Sequence, residues 1–555
     1  VLSVSLQATS SDNRAPGRNA AAGGGRDRRR RLTLAVLCVS LLIVSLDNTI
    51  LNVALPVIVR TMHASSSQLQ WIVDAYALVF AGLLLVAGSL GDRLGRKWVF
   101  AAGLALFAAG SATAAFSGTP DRLIAARAFM GVGAAAIMPS TLSVLTNVFT
   151  ETDERSRAIA IWSGTSGLGL AIGPVVGGWL LTHYWWGSVF LVNVPISLVG
   201  LVATIFVVPN SKDPASKRPD PLGSALSIVG MGLLLWGIIA APSHNWSSPM
   251  VLGALGAGTA VLAVFVLFER RSSHPMLELS FFRSRRFSAA MGAMGLVMFT
   301  LMGALFLLTQ YLQFSLGYGA LATGLRILPI AAVLLAAALL SSVLVRWFGT
   351  KPVVFTGMGL IVASLALLSR VSVHGTYGDS MAALFLMGAG AGLAFAPCTE
   401  SVMGSLPLER AGVGSATNGA ALQTGGALGV GVLGGLLNAR YQDHMAQVLA
   451  HHQVSPPVLH LITGSVGGAL AVAARVGGSF GAELASAARG SFVSGMDLAV
   501  TVGAAAVGGA AVVVLAVLPN RGERPRETMT RRVQKPTDPC DQEFFTSGLP
   551  ESHRR

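Results

Sequence analysis

Charge is scarce in this chain. Of its 555 residues 12% are Asp, Glu, Lys or Arg, against 53% hydrophobic, and the mean hydropathy is +0.65. Soluble domains carry about a quarter charged residues, so that class is excluded. Cysteine is scarcer still. Cys38, Cys398 and Cys540 lie far apart, two in apolar runs and one in the C-terminal tail, which leaves neither a disulfide framework nor a metal-ligand spacing. Enzyme motifs are also lacking. Gly429-Val-Gly431-Val-Leu-Gly434 has a dinucleotide-binding pattern, but it lies inside an apolar run with no strand before it. His374-Gly-Thr-Tyr-Gly-Asp379 stands alone on a short loop without a nucleophile. His444, His451, His452 and His460 share no fixed ligand spacing, so no metal is expected.

Long apolar runs are what the chain does have. A bilayer core about 30 Å thick takes roughly 20 apolar residues per helix, and the sequence offers spans near 33–58, 69–90, 98–117, 121–148, 157–182, 186–208, 222–241, 250–268, 286–312, 323–346, 353–371, 380–404, 411–438 and 490–518. The net charge of +14 does not point to nucleic acid, because the bases sit in short clusters between spans, beginning with Arg26 and Arg28 to Arg31. That basic start resembles a signal peptide, but the apolar run is too long, holds Asp47 and leads into further spans, so it reads as a retained first helix. Alternate loops carry Arg93, Arg96, Lys97, Arg155, Arg157, Lys212, Lys217, Arg218, Arg270, Arg271, Arg283, Arg285, Arg286, Arg346, Lys351 and Arg410. The other loops hold little beyond Arg60, Arg122, Arg326 and Arg370. This asymmetry places both termini in the cytoplasm.

The chain repeats itself. Gly91 to Lys97 (Gly-Asp-Arg-Leu-Gly-Arg-Lys) is echoed by Arg346-Trp-Phe-Gly349-Thr-Lys351. Gly131-Val-Gly133 with Pro139 is echoed by Gly388-Ala-Gly390 with Pro397. The glycine-rich helix after Arg155 is echoed by the one after Arg410. The offsets are 254 (349 − 95), 257 (388 − 131) and 255 (410 − 155) residues. Such regularity implies two related halves. The expected organisation is a basic tail 1–31, a six-helix bundle 32–208, two inserted helices with a linker over 209–285, a second six-helix bundle 286–518 containing an outer segment 440–489, and a tail 519–555. The fold class is an all-α membrane protein of about fourteen transmembrane helices. Most of the 65 glycines let helices approach closely; the runs 164–178 and 424–435 are dense enough to allow sliding or bending between two packings.

Ionisable groups inside spans are few, and an ionised one costs roughly 2.5–3.5 kcal/mol at mid-bilayer. The carboxylates are Asp47, Asp74, Glu400 and Asp497. Asp47, within Leu46-Asp47-Asn48-Thr49-Ile50-Leu51-Asn52-Val53-Ala54-Leu55-Pro56, sits near the middle of the first span, where a carboxyl group takes up a proton readily, as a proton carrier must. The alternative is a carboxylate neutralised by a neighbour to lock two helices. Arg127 stays charged at any pH and needs a carboxylate or a water-filled cavity, unless it snorkels to the surface. Asp92, Arg93, Arg96 and Lys97, between Gly91 and Gly95, can form a salt-bridge latch at helix ends.

These motifs together resemble the major facilitator superfamily, specifically its fourteen-span drug/proton antiporter branch, over residues 33–518. Leu46 to Pro56 is similar to that branch's first-span motif, Gly88 to Lys97 to the superfamily's loop motif, and Arg127 to Gly133 with Pro139 to the proton-coupling motif. Gly169 to Leu180 resembles the antiporter motif. The resemblance implies proton coupling through Asp47, Arg127 and Asp74, a cytoplasmic gate of Asp92, Arg93, Arg96 and Lys97, and an alternating-access helix shaped by Gly169, Gly173, Pro174, Gly177 and Gly178. A central substrate cavity is expected near Asp74, Met298, Phe306, Gln310, Tyr311, Glu400, Asn418 and Gln423. The second copy of the loop motif has lost its Asp. The expected function is proton-driven efflux of lipophilic, including cationic, compounds across the cytoplasmic membrane by a non-enzymatic monomer. Its partners would be substrate, protons and membrane lipid, with no cofactor beyond the proton gradient. The alternatives are export of an endogenous lipid, siderophore or self-made antibiotic, and, less in keeping with the motifs, a membrane enzyme or receptor.

Overall fold

The computed structural model describes residues 17–212, 220–272, 279–405, 411–450 and 454–519. Among these no strand occurs. The first half comprises α1 (Gly17–Met62), α2 (Ser66–Leu94), α3 (Arg96–Ala115), α4 (Pro120–Val148), α5 (Thr152–His183) and the broken pair α6 (Ser188–Leu191) and α7 (Asn193–Val207). Two inserted helices follow, α8 (Pro221–His244) and α9 (Pro249–Arg271). The second half holds α10 (Arg285–Gln310), α11 (Ala320–Phe348), α12 (Thr350–Leu368), α13 (Tyr377–Met403), α14 (Ala411–Leu449), the short α15 (Pro456–Gly464) and α16 (Val466–Val476), and α17 (Gly478–Val517). Among the described residues thirteen helical stretches are long and apolar enough to cross a membrane; with α5, whose apolar part is Gly167–His183, the passes number fourteen. An even number puts the start of α1 and the end of α17 on one face, called here the terminal face; the opposite face is the distal one.

Two boundaries differ from the sequence reading. Helix α1 begins inside the expected tail, at Gly17. Its Arg29 Nε donates to Val207 O at 3.0 Å and Arg30 pairs with Glu154 at 3.2 Å, which anchors the extension to its own half. The two ends of the expected segment 440–489 belong to long helices, since α14 runs on to Leu449 and α17 starts at Gly478. Short helices do occur between them.

The pseudo-symmetry is visible in how glycine faces are used. In α5, Gly169, Gly173 and Gly177 lie one turn apart and meet α1 at Ser45, Thr49 and Ile50, while Gly178 meets Ala320 and Leu321 of α11. In α14, Gly425 and Gly429 meet Gly295 and Phe299 of α10, while Gly431 and Gly434 face Asp74 and Gln70 of α2. Each helix thus packs on its own half with one glycine face and on the other half with a second. In lipid, where burial supplies little drive, such backbone contact is what holds helices together. The repeat reappears in the turns: Gly95 (φ 115°) and Gly349 (φ 90°) occupy matching left-handed positions that other residues rarely adopt. Helices α8 and α9 pack on each other through Gly230, Gly237 and Gly258, and α8 leans on α2 and α14.

Candidate functional site

Helix α2 sets the register of the polar core. A reciprocal capping box starts it, with Gln68 N donating to Ser65 Oγ at 3.2 Å and Ser65 N to Gln68 Oε1 at 3.1 Å. From that start Ile72 and Tyr76 face α4, where a side chain at Gly131 would collide with the carbonyl of Tyr76. Gln70 and Asp74, one turn apart, face α14.

On the α4 side lies an ion pair. Arg127 is 1% exposed and Asp47 0%. Arg127 Nη1 meets Asp47 Oδ2 at 2.5 Å, and its Nε donates to Ile72 O at 3.0 Å. Its guanidinium lies 4.3 Å from the centre of the Tyr76 ring, an attraction that strengthens out of water. The other carboxylate oxygen, Asp47 Oδ1, accepts from Asn193 Nδ2 at 3.0 Å. The open question about Arg127 is therefore answered: its partner is a carboxylate. Sequence reading missed Asn193, although a lone amide inside the apolar run Phe190-Leu-Val-Asn193-Val was a readable signal. The pair locks α1, α4, α2 and α7 of one half together.

On the α14 side Asp74 and Gln70 are both 0% exposed. Neither the Asp74 oxygens nor the Gln70 amide atoms have a hydrogen-bond partner among the described residues. Gln70 was also absent from the sequence reading.

The loop motif is a latch within the first half. Asp92 pairs with Arg96 Nε at 2.8 Å, Arg96 Nη1 donates to Ser143 O at 3.3 Å, and Lys97 Nζ donates to Ile205 O at 2.6 Å. Arg93 is exposed. The loop thereby ties α4 and the end of α7 to the α2–α3 turn.

The residues expected around a central cavity are dispersed. A narrow cleft of about 20 Å³ lies between the halves, lined by Thr49, Asn52 and Val53 of α1, Ala171 and Pro174 of α5, and residues of α10 and α11 such as Leu301 and Ile327. Of the residues expected to bind substrate none lines it. Met298 meets Gly426, and Phe306 meets Gly434. Gln310 bonds back to Phe306 O in its own helix, and Tyr311 Oη donates to Ser372 O. Asn418 and Gln423 are half-buried, while Glu400 and Asp497 are exposed. Hydrogen bonds cross between the halves from Gln313 Nε2 to Val53 O at 2.9 Å and from Arg60 Nη2 to Gln313 O at 3.5 Å, both toward the distal face. Among the described residues no group of His, Cys, Asp and Glu could hold a metal ion.

The family model of the Major Facilitator Superfamily matches residues 37–430. The chain belongs to the major facilitator superfamily. It is a transporter and not an enzyme, and a multi-pass protein of the cell membrane. Members of this superfamily generally need no cofactor. The chain is 35% identical over 473 residues to the multidrug efflux pump LfrA of Mycolicibacterium smegmatis, covering 85% of this chain and 91% of the relative. It is 35% identical over 412 residues to the tetracenomycin C resistance and export protein of Streptomyces glaucescens, covering 74% and 76%. The fold is similar to that of a bacterial homologue of the human lysosomal transporter Spinster, with a TM-score of 0.60 at 16% identity, covering 88% of this chain and 98% of that one.

Proposed function

We propose that this protein exports lipophilic compounds, including cationic ones, from the cytoplasm in exchange for protons, by alternating access. The observation that carries the reading is the Asp47–Arg127 pair, a titratable carboxyl group held on a fixed cation in the heart of one half, out of contact with lipid. A proton on Asp47 removes the attraction to Arg127, so protonation can be exchanged for a change in helix packing. The names of the multidrug pump and of the export protein among the relatives support efflux as the direction.

The domain organisation is two six-helix halves, 32–208 and 286–518, with 209–285 inserted between them. Basic loops on the terminal face assign that face to the cytoplasm, with both termini there. The crossing hydrogen bonds near the distal face then correspond to a state shut toward the outside. The glycine faces of α5 and α14 are the surfaces on which the halves rock, and the Asp92–Lys97 latch belongs to the cytoplasmic gate. The cleft beside Thr49, Asn52 and Pro174 is apolar, as a lipophilic substrate would need, and parting of the halves would widen it. The protein works as a monomer in contact with membrane lipid. The gradient is adequate fuel, at roughly 2.3 kcal/mol per charge per 100 mV and about 1.4 kcal/mol per pH unit.

The test is uptake of a fluorescent lipophilic compound into inside-out vesicles under an imposed acid-inside gradient, for the intact protein and Asp47→Asn, with unfolding midpoints taken alongside. Gradient-driven uptake that disappears in a folded variant is expected. Uptake that ignores the gradient would make the protein a facilitator. Export of one metabolite, a reading favoured by the tetracenomycin relative, would show as uptake of no general compound together with loss of a secreted product from a deletion strain.

A further inference from the structure

Asp74 and Gln70 are the most anomalous polar groups in the described part of the molecule. Both are fully buried and unpartnered, and they face the seam between the two halves. A Cβ added at Gly431 of α14 would lie 3.5 Å from Asp74 Oδ2, and one at Gly434 would strike Gln70 Nε2, so the glycines leave just the room these side chains occupy. The inserted helix α8 closes the seam with Leu235 and Ile239, which join Ala77 of α2 and Ala427 of α14 in one apolar cluster. Among the described residues no charged or titratable side chain opposes Asp74. Gly431 faces it from α14, Leu235 and Ile239 of α8 pack against that same glycine, and Tyr76 on its own helix packs on Arg127, which is paired with Asp47.

A buried, apolar seam of this kind does not hold an isolated anion, because burying an unpaired charge costs far more than burying the neutral acid. The seam is also not permanent: α2 belongs to one half and α14 to the other, so alternating access parts them. We infer that Asp74 is a proton-binding latch of the seam, protonated as α2 and α14 close over it and deprotonated when they part, and separate from the Asp47–Arg127 pair. This rests on the alternating-access reading. Gln70, one turn away, is buried beside it with its amide equally unpartnered. The proton comes from water on the distal side as the seam closes and returns there as it opens. Net proton transfer across the membrane therefore stays with Asp47, and Asp74 senses the pH outside. The closed state binds one more proton than the open state, so acid favours closure and base favours opening, by at most about tenfold per pH unit.

The test measures the distance between spin labels on Ser67→Cys of α2 and Gln447→Cys of α14, near the distal ends. It uses the full chain in lipid nanodiscs with its native cysteines changed to serine, between about pH 5 and about pH 8. The expected result is a long-distance population that grows with pH in the parent. It should be absent at every pH in Asp74→Asn, restored in Asp74→Glu, and still pH-responsive in Asp47→Asn. A parent distance that ignores pH overturns the inference, as does an Asp74→Asn variant that behaves like the parent or a response that follows Asp47 instead. The measurement needs no substrate, so failure of the efflux reading, seen as no vesicle uptake of any compound, is recorded separately.

Discussion

Asp47 and Asp74 belong to the same half, are both 0% exposed, and have opposite surroundings. Asp47 has both oxygens engaged, by Arg127 and by Asn193, and all three residues move with one half. Asp74 has neither oxygen engaged and faces the other half. The difference teaches where a buried charge can be kept. Within one rigid unit, packing fixes a partner beside it permanently. In a seam that opens and shuts, a fixed ionic partner would itself be exposed and buried on every cycle, so a neutral, switchable group fits better.

The largest effect should come from breaking the paired site. Asp47→Asn leaves the Arg127 cation buried without its anion, which costs about 3–5 kcal/mol. Thermal unfolding of the purified protein should show a large fall in midpoint. Replacing both partners, Asp47→Leu with Arg127→Met, should recover most of it, because the loss lies in the orphaned charge. If the double variant unfolds as early as the single one, the pair is not what holds α1 to α4.

Next come two glycines of α14 that meet different neighbours. A Cβ at Gly429 would collide with the backbone carbonyl of Phe299 in its own half, whereas one at Gly434 meets mainly the far end of the Gln70 side chain. Gly429→Ala should therefore cost about 1–3 kcal/mol through forced separation of α14 and α10. Gly434→Ala should cost less, since Gln70 can turn aside. Equal losses in unfolding midpoint would erase the distinction between packing within a half and across the seam.

Much of this was legible in the sequence. The spacing of apolar runs gave the passes, and the offset between Gly95 and Gly349 announced two turns that share a left-handed backbone. Asp47 and Arg127 stood out because charge inside apolar runs is rare. What pairs with them was not legible, since Asn193 is 146 residues from Asp47 and only the packing of α7 on α1 brings them together. The bonding of the expected cavity residues was hidden for a related reason: Gln310 and Tyr311 bond inside the second half, to Phe306 O and Ser372 O, and do not line the cleft. Gln70 went unnoticed because an amide near a helix start looks like ordinary end polarity. Its importance lies in a glycine more than three hundred residues away, Gly434 (434 − 70 = 364).

For the seam, the sign of the effect should reverse. Asp74→Asn removes the group that must give up its charge to be buried. An amide with no partner still carries a desolvation cost of about 1–3 kcal/mol, yet it needs no proton to close. The unfolding midpoint of the variant should match that of the parent in acid and exceed it in base, where the parent must bind a proton to adopt the closed form. Asp47→Asn should lie below the parent at both pH values. A fall for Asp74→Asn comparable to that of Asp47→Asn would show that Asp74 has an ionic partner and would end the comparison between the two sites.

The smallest effect isolates Gln70. Its amide is buried with neither donor nor acceptor satisfied, so Gln70→Leu replaces a polar group that gains nothing from the closed seam by an apolar one of similar length. Such a change is neutral or stabilising by about 1 kcal/mol, because no bonded partner is stranded. The midpoint at acid pH should be unchanged or slightly raised. The pH response should persist, because it belongs to Asp74 and not to the neighbouring amide. A midpoint that falls by several degrees would mean that Gln70 is bonded in the closed state and that the seam is an ordinary polar contact between helices.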